Sequence, residues 1–418
     1  MQIKRIQIAR HLDINEIIRK VLFYALLLAI ILQCHSLMDH VYKNSYFLIA
    51  ILGIWILLLG FSKRLIFRKW NLGFSFIYLI FLSVLVIIGD FKHIEFLFSV
   101  MFCFALFMIY LSDADRVDYT LKAFSNIIVV ISIISLFFFI FASILKIIPY
   151  TNVYSGEAIN WGSNHYDYFH LYNESQWIDV FSYSGVRNIG PFVEAPMFNY
   201  VLCLALYYEL FLNRANFRKV HTTILIVTLI TTFSTAGLIS AIILLIIKYY
   251  SRMKKWVQFI LLPAILALCI IIAYIFVQDK VNNNFNSTSV RMDDIQSCIK
   301  CFLDNFWIGA GYENMSALRR YRFLNVGDTL SSGLSGILAF GGVLLGFWYV
   351  FPIFIAIIRF IKNKNRSEMG WILFTSLLLV FTVVQTRVLC TMVNAISWIY
   401  IFEVKQDSVQ SMNRYALK

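Results

Sequence analysis

Apolar runs of about 18–25 residues recur along almost the whole chain, and each is long enough to cross a bilayer as a helix. The stretch FSNIIVVISIISLFFFIFASILKII at 124–148 is one of them. In hydrocarbon every backbone N–H and C=O must be satisfied inside the protein, which leaves helices as the natural way to use runs of this length. Composition agrees: 60% of the 418 residues are hydrophobic and 14% are charged, where a soluble domain carries about 25% charged residues. The expected fold class is all-α, a polytopic transmembrane helical bundle. No polar interval exceeds roughly 60 residues, so residues 1–418 read as a single integral membrane domain.

Basic residues orient the runs. The run at 222–249 is ambiguous. As one helix it places KYYSRMKK (248–255) and RFIKNKNR (359–366) outside, against the rule that Lys and Arg stay cytoplasmic. A split at TFSTAG (232–237) removes both conflicts and predicts about twelve passes with both termini cytoplasmic. The two resulting pieces are short for full spans and fit half-helices packed inside a bundle. Most of the 36 Lys and Arg then lie inside, which accounts for the net charge of +13 without a nucleic-acid partner. No small-residue cleavage site follows the first apolar run. The basic MQIKRIQIARHLDINEIIRK segment therefore reads as a tail on the anionic inner leaflet.

This topology leaves two large outer loops, about 149–193 and 278–332. The first holds eleven aromatic residues, including Trp161 and Trp177, interspersed with Asn, His, Asp and Glu. Flat apolar faces beside hydrogen-bonding groups suit sugar rings, and Tyr and Trp also favour the headgroup level of any membrane protein. Its only Lys or Arg is Arg187, and Glu194 follows where the next apolar run begins. In the second loop, Val290, Ile295, Ile299 and Phe302 fall at helical spacing, with Arg291 expected in the first turn. WIGAG (307–311) then supplies glycines for a tight turn, and Arg319, Arg320 and Arg322 follow. Arginines in such a loop can equally contact lipid phosphates.

Several classes of function find no support. The apolar runs carry almost no ionisable residues, which argues against a proton-driven pump. There is no Walker loop or dinucleotide fingerprint. The seven histidines show no metal-ligand spacing, and Cys298 and Cys301 lack a partner pair, so neither a metal nor a cofactor is expected.

RNIGPFVEAP (187–196) resembles the R-x-x-G-x-F-x-E-P signature of the O-antigen polymerase and ligase superfamily of bacterial surface-polysaccharide synthesis. TTFSTAGLISAIILL (231–245) resembles that family's pair of short helices. Arg291 followed by DNFWIGAGYEN (304–314) resembles the segment that opens its large outer loop. The ordered set covers about residues 120–400. The chain departs from the pattern in two places. Thr235 stands where the family often has Arg, and Ser331 or Ser332 stands where the ligases carry His. The missing His favours the polymerase branch over a ligase.

The resemblance implies a metal-independent membrane glycosyltransferase in the cytoplasmic (inner) membrane of a bacterium. It would join polyprenyl-diphosphate-linked oligosaccharide repeat units on the outer face, making capsule, exopolysaccharide or O-antigen. Its implied partners are that lipid-linked glycan, the lipid bilayer, a chain-length regulator and a flippase. In such an enzyme Arg187 and Arg291 would hold the diphosphate, because a guanidinium grips phosphate bidentately. Glu194 would be the base for the acceptor hydroxyl, or simply the ion-pair partner of Arg187. Trp161, Trp177, Arg319, Arg320 and Arg322 would contact substrate. A transporter or flippase for lipid-linked sugars is the competing class, and it should display two matching halves.

Overall fold

The computed structural model describes residues 14–42, 44–61, 69–88, 97–111, 114–156, 163–180, 183–213, 218–250, 285–311, 314–324, 330–362, 366–385 and 387–416. They are mostly helical. The first helices are α1 (Ile14–Leu32), α2 (Leu37–Tyr42), α3 (Asn44–Gly60), α4 (Lys69–Ile88), α5 (Cys103–Tyr110) and α6 (Ala114–Phe138). After the 149–193 segment come α7 (Ala195–Tyr207), α8 (Lys219–Thr231), α9 (Thr235–Tyr250), α10 (Phe285–Asp304) and α11 (Met315–Arg319). The chain ends in α12 (Gly333–Lys362), α13 (Arg366–Phe381) and α14 (Val388–Ala416). π-helical turns at Phe139–Ile144 and Tyr208–Leu212 extend α6 and α7.

Among the described residues, three helical stretches are long and apolar enough to cross a membrane: Arg116–Ile144, Ala195–Leu212 and Gly333–Arg359. Five more are apolar but shorter, at Ser45–Gly60, Ser99–Tyr110, Lys219–Thr231, Gly370–Phe381 and Val388–Phe402. Helix α7 is the most enclosed; every residue except Pro196 is buried. It lies against α6, α8, α9 and α13. Close approach to α9 depends on Gly237, where a Cβ would sit 2.5 Å from the Asn199 side chain. Small residues that let helices approach are the usual means of association in lipid, where burial alone offers no hydrophobic gain. One apolar cluster runs from Phe23 to Ile401 and joins the N-terminal helices to the C-terminal ones.

Two helices are interrupted. The apolar run at 222–249 divides into α8 and α9, with Phe233 at φ 47° between them, where the charge pattern asked for a break. Helix α12 breaks at Gly342, whose φ of 60° and ψ of −161° are open essentially to glycine alone. The groups released there are taken up by the turn after α10. The Ala310 and Gly311 amides donate to the carbonyls of Ala339 and Phe340, at 2.9 and 3.1 Å. In return the Val343 and Leu344 amides donate to the carbonyls of Phe306 and Trp307, at 2.8 and 3.2 Å. The WIGAG glycines form the expected turn, with Gly309 and Gly311 at φ 77° and 98°. They also let two backbones touch: a Cβ on Gly309 would lie 2.3 Å from the Phe340 carbonyl carbon.

The all-α expectation needs correction in the 149–193 segment. Strands β1 (Asn152–Tyr154), β2 (His165–Tyr168) and β3 (Tyr172–Glu174) form an antiparallel sheet, and β4 (Trp177–Val180) pairs with β5 (Tyr183–Val186). The β2–β3 turn puts Phe169 and His170 at φ 56° and 57°. Side chains support these unusual conformations. Thr151 Oγ1 accepts the Phe169 amide at 3.0 Å and Asp167 Oδ1 accepts the His170 amide at 3.0 Å. Alternating aromatic and polar residues have the period of a strand, and the reading of this segment as an outer loop passed over it.

Gly342→Ala should lower the apparent melting temperature in detergent markedly. Its Cβ would lie 2.5 Å from the Trp307 backbone, and the φ/ψ penalty alone is about 1–3 kcal/mol. Gly53→Ala, where nothing lies within 4 Å, is the control and should change it little. Equal melting curves for the two variants would contradict the role assigned to this break.

Candidate functional site

The segment from Arg187 to Glu194 is held rigidly by its neighbours. The Arg187 amide donates to Gln176 O at 3.0 Å, which continues the β4–β5 ladder. Asn188 is buried and fastens three elements. Its amide donates to Thr231 O at 3.1 Å, its Nδ2 to Thr231 Oγ1 at 2.9 Å, and its Oδ1 accepts from Ser135 Oγ at 2.5 Å and from the Gly190 amide at 3.1 Å. Gly190 at φ 58° turns the chain, and a Cβ there would press on the Phe198 ring at 2.9 Å. The Leu37 amide then donates to Pro191 O at 2.8 Å and the Val193 amide to His35 O at 3.0 Å. Pro196 in the first turn ends this connection and starts α7.

Arg187 points its guanidinium at the helix break. Nε donates to Thr232 O at 2.9 Å and one terminal nitrogen donates to Phe233 O at 3.4 Å. A cation is favoured at the carbonyl end of a helix such as α8. Arg187 therefore has a structural role that its sequence position did not reveal.

Glu194 is the N-cap residue of α7, half-buried, with extended backbone. Its carboxylate makes no capping hydrogen bond, and the first amide of α7, from Ala195, instead donates to Gln176 Oε1 at 3.2 Å. Burial raises the Glu194 pKa, and the nearby charges of Arg291 and Arg187 offset part of the rise. Burial likewise draws the Arg187 pKa down to about 10, with Glu194 opposing and Arg291 reinforcing the fall. At neutral pH Arg187 remains a cation. The three groups are coupled through space, and the direct Glu194–Arg187 ion pair weighed from the sequence is not among the described contacts.

Arg291 reaches this cluster from a segment about a hundred residues away in the chain and is exposed. Its place in its helix differs from the expected one. Helix α10 begins at Phe285, so Arg291 lies in the second turn and not among the free N-terminal amides. Ser331 Oγ donates to Arg291 O at 3.4 Å. Ser332 is buried and caps α12, accepting the Ser335 amide at 3.5 Å.

The remaining predicted contacts separate. Arg319 and Arg320 are exposed at the end of α11. The Arg322 side chain is 5% exposed and paired with Asp294 at 2.8 Å, so it ties the 321–324 segment to α10. Asp293 reinforces that tie by accepting the amides of Phe323 and Leu324, at 3.0 and 3.2 Å. Cys298 and Cys301 are unpaired thiols in a small apolar core with Leu318, Ala339 and Phe340. Trp177 is exposed and lines a cavity in the 149–193 segment. Trp161 lies outside the described residues.

The sequence reading missed one constellation. His35, Asp39 and His40 bring ligand atoms within 4.8 Å of one another, contrary to the absence of any metal-ligand grouping inferred from spacing. Arg387 fills the centre of the group. Its Nε donates to His35 Nε2 at 3.1 Å and a terminal nitrogen donates to Asp39 Oδ2 at 3.0 Å. A fixed cation at this point opposes a metal ion on electrostatic grounds. The signal available in the sequence was weak: His35 and Asp39 are four residues apart, and nothing nearby announces Arg387.

No protein-family model matches the chain, and no curated protein shows significant similarity to it.

Proposed function

We propose that this chain is a membrane glycosyltransferase that joins polyprenyl-diphosphate-linked oligosaccharide repeat units on the outer face of a bacterial cytoplasmic membrane. The observation that carries the reading is the coupling of Arg187, Glu194 and Arg291, which come from two distant polar segments. In this reading the chain makes about twelve passes, with 149–193 and 278–332 outside and both termini inside. The resemblance of RNIGPFVEAP to the polymerase and ligase superfamily adds to it. The ligase remains the second reading. Ser331 or Ser332 stands at the position of the ligase His, and a serine there favours the polymerase.

The transfer needs three things from the protein. A cationic site must hold the diphosphate at headgroup level, which Arg187 and Arg291 supply. A base must receive the acceptor hydroxyl proton, which falls to Glu194. The acceptor oxygen then bonds to the anomeric carbon of the donor glycan as the bond from that carbon to the phosphate oxygen breaks. The electron pair leaves with the diphosphate, whose growing charge the two arginines stabilise. A half-buried carboxylate with a raised pKa is a stronger base than one in water.

Arg291→Lys keeps the charge but loses the planar fork, and should lower transfer of a synthetic lipid-linked repeat unit about a hundred- to thousandfold with normal insertion and melting temperature. Arg187→Lys should lose activity and also melt earlier, since it removes bonds to Thr232 O and Phe233 O. Chelator should change neither rate. Near-normal polymer from Arg291→Lys, read as a ladder on a gel, would sink the clamp.

The pH profile of kcat/KM gives a second test. A base must be deprotonated, so activity is complete above the Glu194 pKa and falls as pH drops through it. Because that pKa is raised, the acid limb should lie above the ordinary carboxylate value of about 4.3. An alkaline limb should follow as Arg187 loses its proton near 10. Glu194→Gln should abolish turnover while leaving lipid-diphosphate binding intact. A profile that stays flat below pH of about 4 would exclude Glu194 as the base.

A further inference from the structure

Between the Phe139–Ile144 turn, the three-stranded sheet and the β4–β5 hairpin lies a cavity of about 590 Å³. That volume falls in the range of small-molecule sites, roughly 300–1,000 Å³. Four aromatic side chains line it: Tyr150, Tyr166, Tyr168 and Trp177. One carboxylate, Glu174, lies among them, and Lys146 and Ser143 also contribute. Glu174 is held in place from one side only. Ser143 Oγ donates to its Oε1 at 2.5 Å and the Tyr168 hydroxyl donates to the same oxygen at 3.0 Å. Among the described residues nothing donates to Oε2.

We propose that this cavity is a sugar subsite that takes one pyranose ring of a glycan chain, with Glu174 Oε2 accepting from ring hydroxyls and the aromatic faces covering the ring. The chemistry discriminates among occupants. A lipid tail has no use for an oriented carboxylate, and a metal ion needs more ligands than one carboxylate in an aromatic setting. A sugar offers both an apolar C–H face and hydroxyl donors, which is what the lining supplies.

The cavity wall and the arginine–carboxylate cluster are neighbours along the chain. Val186 lines it and Arg187 is the next residue. On the opposite strand Trp177 pairs with Val186. The residue before Trp177, Gln176, receives both the Arg187 amide and the Ala195 amide. The hairpin that lines the cavity therefore runs directly into the segment that carries the proposed diphosphate site. This inference rests on the glycosyltransferase reading for its ligand, and it adds where the glycan is held and by which side chains.

The test separates the two ideas by using two probes on the full-length protein in nanodiscs. One is lipid-free oligosaccharide released by mild acid from the surface polysaccharide of the cells that make the protein. The other is undecaprenyl diphosphate without sugar. Calorimetry should show that the wild type binds both. Glu174→Gln and the exposed Trp177→Ala should each weaken oligosaccharide binding about tenfold or more, and leave the lipid diphosphate affinity unchanged. Arg291→Lys should do the reverse. Oligosaccharide binding that is absent in the wild type, or unaltered in both cavity variants, overturns the subsite. Oligosaccharide binding with no response to the prenyl diphosphate leaves the subsite standing and removes the polymerase reading instead. If Glu174→Gln melts early, Trp177→Ala alone decides, because Trp177 is 69% exposed.

Discussion

Backbone groups released inside a bundle must find partners, and in this chain that requirement organises everything around the candidate site. A broken helix in an apolar surrounding leaves N–H and C=O groups that water cannot reach, each costing several kcal/mol if left unpaired. The described residues contain two such breaks, at Phe233 and at Gly342. Each is completed by a polar segment remote in sequence. The 306–311 turn supplies main-chain partners for the Gly342 break. Arg187 and Asn188 supply side-chain and main-chain partners for the end of α8. The polar segments are thus not loosely attached caps. They are the missing halves of interrupted helices.

This arrangement also explains the electrostatics. Arg187 reaches a half-buried place because helix carbonyls receive it there, and burial then acts on it and on Glu194 together. Glu194 keeps its carboxylate out of the capping bond because Gln176 takes the α7 amide. The cation and the carboxylate thus act on one another through space, with no direct pair between them among the described contacts. A surface pair would instead close up and be screened.

Legibility in the sequence followed the strength of the physical constraint. The helical class and the break within 222–249 were readable, because hydrophobic length and the placement of Lys and Arg leave few alternatives. The WIGAG turn was readable because glycine pairs mark tight geometry. The sheet in 149–193 was not, because its strands are three or four residues long and aromatic residues serve interfaces as well as strands. Arg291, Arg319, Arg320 and Arg322 looked alike as arginines of one polar segment. Only the fold separates Arg322, paired with Asp294, from the exposed three. Arg387 was invisible, since its partners His35 and Asp39 lie at the other end of the chain.

That last contact has a consequence for how the molecule comes into being. Gln33, His35 and Asp39 meet Arg387 and Val388, about 350 residues later, and the main chain of His35 and Leu37 in turn clasps Pro191 and Val193 beside Glu194. Contacts so far apart close late, after most of the chain has been synthesised. The loop that carries Glu194 is therefore fully braced only when α14 arrives. A nascent or truncated chain lacking its last helix would hold the arginine–carboxylate cluster with one wall missing, so the ribosome's final stretch of work completes the brace around that cluster.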